Sequence, residues 1–195
     1  MLPVLQQPEP ENFDEQVRRP GNAALQKQGY PKAARFAFPP LWRKVNEDMF
    51  AAYDGYCAYS AFRLQPALAY AQIDPFLPKS KYPENAYEWA NYRLCSQLMN
   101  TQKGEKELPL DPFTLEPATY QLNLFNGQIK VNPELSPGQQ QNADTTIALL
   151  RLNSPELVHK RTKVLNEFID GEIGVEFLQR EAPFIYQEVL RQDHL

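Results

Sequence analysis

The sequence predicts an α+β protein. One β-hairpin is written plainly at Tyr120–Val131, helix signals are concentrated at Leu41–Tyr53 and in the carboxyl third, and a proline-rich segment fills the first forty positions. In the hairpin, Tyr120-Gln121-Leu122-Asn123-Leu124-Phe125 alternates apolar and polar residues. Asn126-Gly127 then supplies the turn and Gln128-Ile129-Lys130-Val131 the return strand.

The remaining elements follow in chain order. Pro3, Pro8, Pro10, Pro20, Pro31, Pro39 and Pro40 disfavour regular structure and predict an extended arm over 1–40, with Phe13, Val17, Leu25, Phe36 and Phe38 available to dock it. Leu41–Tyr53 carries apolar residues every three or four positions and stops at Asp54-Gly55, as an amphipathic helix does. Between Tyr56 and Phe76 the aromatic and apolar pattern predicts two short strands joined around Leu64–Pro66. Trp89–Cys95 reads as a strand, and Ser96–Lys103 as a short helix with Ser96 as its cap and Gly104 as its stop. Farther on, Asn142–Leu152 has helical character, Ser154-Pro155-Glu156 starts a second helix that Asp170-Gly171 ends, and a third is broken or begun at Pro183. The expected organisation is a single domain made of an arm (1–40), a core with the hairpin (41–135) and helices packed on that core (136–195).

Composition excludes several functions. A net charge of -4 opposes strong nucleic-acid binding, which draws on Lys and Arg neutralising phosphates. Local clusters nevertheless exist at Lys32, Arg35, Arg43 and Lys44, and at Lys79, Lys81, Arg93, Lys103 and Lys106. Two cysteines, Cys57 and Cys95, cannot build a four-cysteine zinc site, so no structural zinc is expected. With His159 and His194 as the only histidines, there is no Ser-His-acid set and no paired-histidine metal motif. Eight glycines offer no phosphate-cradling loop. The absence of a long apolar run and of a leader-like amino end predicts a cytoplasmic protein with no membrane segment.

The middle of the chain carries the chemistry-bearing motifs. In order they are Tyr56-Cys57-Ala58-Tyr59-Ser60, Ile73-Asp74-Pro75-Phe76-Leu77-Pro78-Lys79-Ser80, Asn91-Tyr92-Arg93-Leu94 and Asn100-Thr101-Gln102-Lys103-Gly104. This order resembles the bacterial HNH endonuclease family (ββα-metal). Pro8-Glu9-Pro10 with Pro20-Gly21, Leu110-Asp111-Pro112-Phe113 and Gly171-Glu172-Ile173 with Ala182-Pro183-Phe184 extend the resemblance over nearly the whole chain.

The resemblance implies a ββα-metal core in which Asp74 and Asn100 hold a divalent metal, Mg2+ or Mn2+, and Asn91 braces the loop. It also implies that a histidine activates water, but Pro75 stands at that general-base position and has neither a titratable group nor a backbone donor. Losing a positioned base typically costs about 100- to 10,000-fold in rate. The expected function is therefore a degenerate HNH-like protein that binds DNA or RNA, or a protein partner in an anti-phage or mobile-element assembly. Lys79, Lys81, Arg93 and Lys103 would meet phosphate. Two alternatives stay open: an active nuclease with a substitute base such as Glu84, Glu88 or a residue from a partner, and a structural subunit without nucleic-acid binding. If the scaffold is otherwise intact, Pro75→His is expected to create metal-dependent cleavage.

Overall fold

The computed structural model describes residues 1–29, 38–65 and 71–193. Among them are seven α-helices and two two-stranded antiparallel sheets, an α+β composition. Lys32, Arg35, Phe36, Pro66 and His194 lie outside the described residues. The chain forms two compact units. One comprises Leu5–Tyr56 and Leu64–Glu107, the other Met1–Val4, Cys57–Arg63 and Leu108–Leu195.

The first unit begins with a helical run where an extended arm was expected. A π-helical turn at Asp14–Arg18 passes into α1 (Arg19–Lys27). Pro20 does not break this helical run because it falls where the π-helical turn gives way to α1: Arg19 N donates to Asp14 O, five residues back, so the regular i to i-4 ladder is already interrupted where the proline lacks its N–H. Phe13, Val17, Gly21 and Leu25, four apart, are all buried, so one helical face supplies the packing. Phe13 meets Trp89 and Tyr92 edge to face at centroid distances of 5.5 and 6.0 Å. Trp89 Nε1 donates to Gln7 O (2.9 Å), which fixes the segment ahead of the helix. The Tyr87 ring occupies the space beside Gly21, where a Cβ would lie 2.2 Å from it. Gly21→Ala should therefore destabilise the protein by roughly 1–3 kcal/mol, read by urea unfolding, because the ring must move out of a filled core.

The predicted helix after Pro40 begins as a 3-10 turn (Leu41–Val45) and continues as α2 (Asn46–Ala52). The strand pairing departs from expectation. β1 (Ala71–Pro75) pairs antiparallel with β2 (Tyr92–Ser96), placing Asp74 opposite Arg93 and Pro75 opposite Tyr92. No strand precedes β1 among the described residues after Tyr56. Cys57–Phe62 instead folds into a tight turn in the second unit, with Ala61 N donating to Cys57 O and Cys57 N to Phe62 O, both at 2.9 Å. Local aromatic content signalled burial there rather than extension.

In the second unit, β3 (Tyr120–Leu122) and β4 (Ile129–Val131) form a hairpin where one was expected, but Leu122 pairs with Ile129, so the first strand ends before Asn123 and the turn is longer than Asn126-Gly127 alone. Four helices follow: α4 (Pro137–Leu149), α5 (Pro155–Ile169), α6 (Val175–Glu181) and α7 (Pro183–Arg191). Helix α4 begins earlier than expected because Ser136 and Gln139 form a capping box around Pro137. Helix α7 covers the open edge of β3: Glu188 Oε2 accepts from Leu122 N (2.7 Å), and Gln192 Nε2 donates to Leu122 O (2.9 Å). No helix among the described residues is long and apolar enough to cross a membrane.

Candidate functional site

The site lies in the first unit, where β1, β2 and α3 (Gln97–Lys103) follow one another. Helix α3 starts directly after β2 because Ser96 Oγ accepts from Met99 N (3.2 Å). It stops where Gly104 takes a φ of +51°, a value that suits a residue without Cβ.

Two side-chain pairs join this helix to β1. Alternation puts Gln72 and Asp74 on one face of the strand, while a spacing of three puts Asn100 and Lys103 on one face of the helix. Asn100 Nδ2 donates to Gln72 Oε1 at 2.5 Å, and Lys103 Nζ lies 3.2 Å from Asp74 Oδ2 and 3.3 Å from Oδ1. The same ammonium donates to Pro75 O at 2.8 Å and lies 3.4 Å from Gly104 O. Both members of the ion pair are withdrawn from water, the Lys103 side chain being 0% exposed and that of Asp74 2%. Two desolvated charges are held by each other and by carbonyl oxygens, which offsets the cost of burying them.

Asp74 and Asn100 thus line one cleft of about 150 Å³, together with Trp42, Ile73 and Lys79. The lining supplies few oxygens for a hard divalent cation, which asks for about six: both oxygens of Asp74 face the Lys103 ammonium, and Asn100 is joined to Gln72 through its Nδ2, so Asn100 Oδ1 and the Glu105 carboxylate, itself bonded by Ser80 Oγ, remain. No group of three or more His, Cys, Asp and Glu capable of holding a metal occurs among the described residues. Pro75 closes β1 with its carbonyl on Lys103 and offers nothing that accepts a proton from water.

Asn91 ends a 3-10 turn (Trp89–Asn91) just before β2 and spans the loop ahead of it. Its Oδ1 accepts from Leu77 N (2.8 Å), and its Nδ2 donates to Leu77 O (3.2 Å) and Asn85 O (2.9 Å). Asn91→Ala should cost about 1–3 kcal/mol and speed amide exchange across residues 77–91, because buried backbone groups lose their partners.

The four cations expected to meet phosphate have separate environments. Lys103 is spent on Asp74. Arg93 is buried as well, its guanidinium 5.1 Å from the Phe76 ring centroid and its Nη1 donating to Ala90 O and Tyr92 O at 2.8 and 2.9 Å. Neither side chain faces outward, so a role for either as a phosphate contact does not suit this arrangement. Lys79 is half-buried with its ammonium 4.1 Å from the Trp42 ring centroid, and loss of hydration there lowers its pKa from the usual lysine range. Lys81 is exposed but bonded to Glu107 Oε1 at 2.6 Å. Gln72 and Trp42 were not expected in the site. The i, i+2 spacing of Gln72 with Asp74 was the available signal for the first, and Trp42 enters only through tertiary packing.

These features describe an α+β protein with a strand-strand-helix site whose acid is neutralised by a lysine from the same chain. No family model matches the sequence. The chain is similar to the Septu protein PtuB of Bacillus thuringiensis, with 27% identity over 119 residues, covering 58% of this chain and 43% of that protein. It thus spans less than half the length of this relative.

Proposed function

We propose that this chain is a degenerate HNH-type (ββα-metal) protein that does not cleave nucleic acid by itself and acts by binding a protein partner. The buried Asp74–Lys103 pair carries this reading. The residue that corresponds by resemblance to the metal-binding acid has an ammonium as its cation, and the adjoining residue is Pro75 in place of the general base. A protein partner is favoured over DNA or RNA because two of the four expected phosphate contacts are buried, a third is ion-paired and the chain is net acidic. The family resemblance implies an anti-phage assembly as the setting, and the similarity to a Septu protein supports that choice.

The test is incubation of the purified chain with plasmid DNA and with RNA in Mg2+ or Mn2+, beside Asp74→Ala. No cleavage above background is expected from either protein. Cleavage by the wild type that Asp74→Ala abolishes would overturn the proposal and restore the active-nuclease reading. Pro75→His alone is expected to gain no activity, because Lys103 still occupies the carboxylate.

A further inference from the structure

Beside the cleft lined by Asp74 and Asn100 lies a larger one of about 390 Å³, and the two share Trp42, Ile73 and Asn100 as walls. All of its lining belongs to the first unit. Small-molecule sites commonly have volumes of about 300–1,000 Å³, and this cleft falls in that range. Arg43, Asn46 and Gln72 also line it, so the apolar surface of Trp42 and Ile73 stands beside three amides and a guanidinium.

The polar groups of this cleft are open. Asn100 Nδ2 donates to Gln72 Oε1, which leaves the bonded amide pair with one acceptor, Asn100 Oδ1, and one donor group, Gln72 Nε2. Neither of these atoms, nor the side chains of Asn46 and Arg43, has a hydrogen bond or ion pair among the described residues. Lys79, in the narrower cleft, rests its ammonium on the Trp42 ring. Among the described residues no acid lines the wider cleft, and in the narrower one Asp74 faces Lys103 while Glu105 accepts from Ser80 Oγ.

This combination selects a class of ligand. An ammonium on the ligand would find no carboxylate in the wider cleft, a neutral sugar would leave Arg43 without a counterpart, and a bare inorganic anion would leave the amides unused. A nucleoside phosphate satisfies each group. Its base edge carries neighbouring donors and acceptors, which Asn and Gln amides match, and its flat ring suits the apolar wall. Its phosphate forms a charge-assisted bond with a guanidinium, and one cation suffices for one phosphate although it is too few for a polymer.

We infer that the cleft of Trp42, Gln72, Asn100 and Arg43 binds a nucleoside monophosphate, with the base on the amide pair and the phosphate on Arg43. This inference goes beyond the partner-binding reading and does not rest on it.

The test is a 1H–15N NMR titration of the purified full chain, in EDTA, with the 5′-monophosphates of adenosine, guanosine, cytidine and uridine. The four nucleosides, ribose 5-phosphate and inorganic phosphate are titrated in parallel. At least one nucleotide should give saturating shifts of the Trp42 indole and of the Gln72 and Asn100 side-chain amides, with Kd below about 1 mM. The Trp89 indole, which is buried and bonded to Gln7 O, should stay in place. Ribose 5-phosphate and inorganic phosphate should bind at least roughly 10-fold more weakly. Arg43 is exposed, so Arg43→Gln should keep the unfolding midpoint while weakening the nucleotide about 10-fold and leaving its nucleoside unchanged. Gln72→Leu should weaken both. The inference is overturned if no nucleotide gives saturating shifts at these groups, if ribose 5-phosphate or inorganic phosphate binds as tightly, or if nucleotide affinity survives Arg43→Gln and Gln72→Leu.

Discussion

Lys103→Ala is expected to lower the free energy of unfolding by about 3–5 kcal/mol, a fall of roughly 10 °C in Tm for a chain of this size. The size of the effect comes from what is left behind. With the ammonium gone, the carboxylate of Asp74 is buried without its cation, and the carbonyl of Pro75 loses a donor at 2.8 Å. Asp74→Asn with Lys103→Met removes both charges and should recover most of the loss, since a buried ion pair adds little over an apolar pair of similar volume. Chemical unfolding of the two single variants and the double variant gives the coupling energy directly. Near-additive losses would mean that the two groups do not depend on each other, and the account of the site would fail with them.

Arg161→Met is the second large effect, expected at about 3–4 kcal/mol. The arginine is buried in the second unit, where loss of hydration pushes its pKa down to about 10, so it is still charged at neutral pH. That charge is held by carbonyl and amide oxygens: Gly127 O at 2.6 Å, Leu152 O at 2.7 Å and Asn153 Oδ1 at 3.3 Å. Methionine fills the volume but leaves two backbone acceptors without their donor. Urea unfolding of the wild type and Arg161→Met measures the loss.

Much of the local structure was legible because it depends on neighbours in sequence. Ser96 before Gln97 and Gly104 after Lys103 bound α3 through a side-chain cap and a left-handed backbone position, both properties of single residues. The alternation from Tyr120 to Phe125 gave the hairpin, since a period of two sends its apolar set to one face. Pro20 misled in the opposite sense. It marked a break in a segment that is helical, because a π-helical turn that admits a proline leaves no sign in the neighbouring residues.

Residue order alone placed Asp74 on a strand and Asn100 and Lys103 on one short helix, and put Pro75 rather than histidine directly after Asp74. Only the tertiary structure decided that β1 pairs with β2 and that Lys103, rather than an open cleft, faces the carboxylate of Asp74. The reason is range. Caps, turns and periodicities are set within a few residues, whereas the Asp74–Lys103 pair joins groups 29 positions apart. Burial then makes that pairing obligatory, since a charge removed from water must find its counterpart wherever the fold brings one.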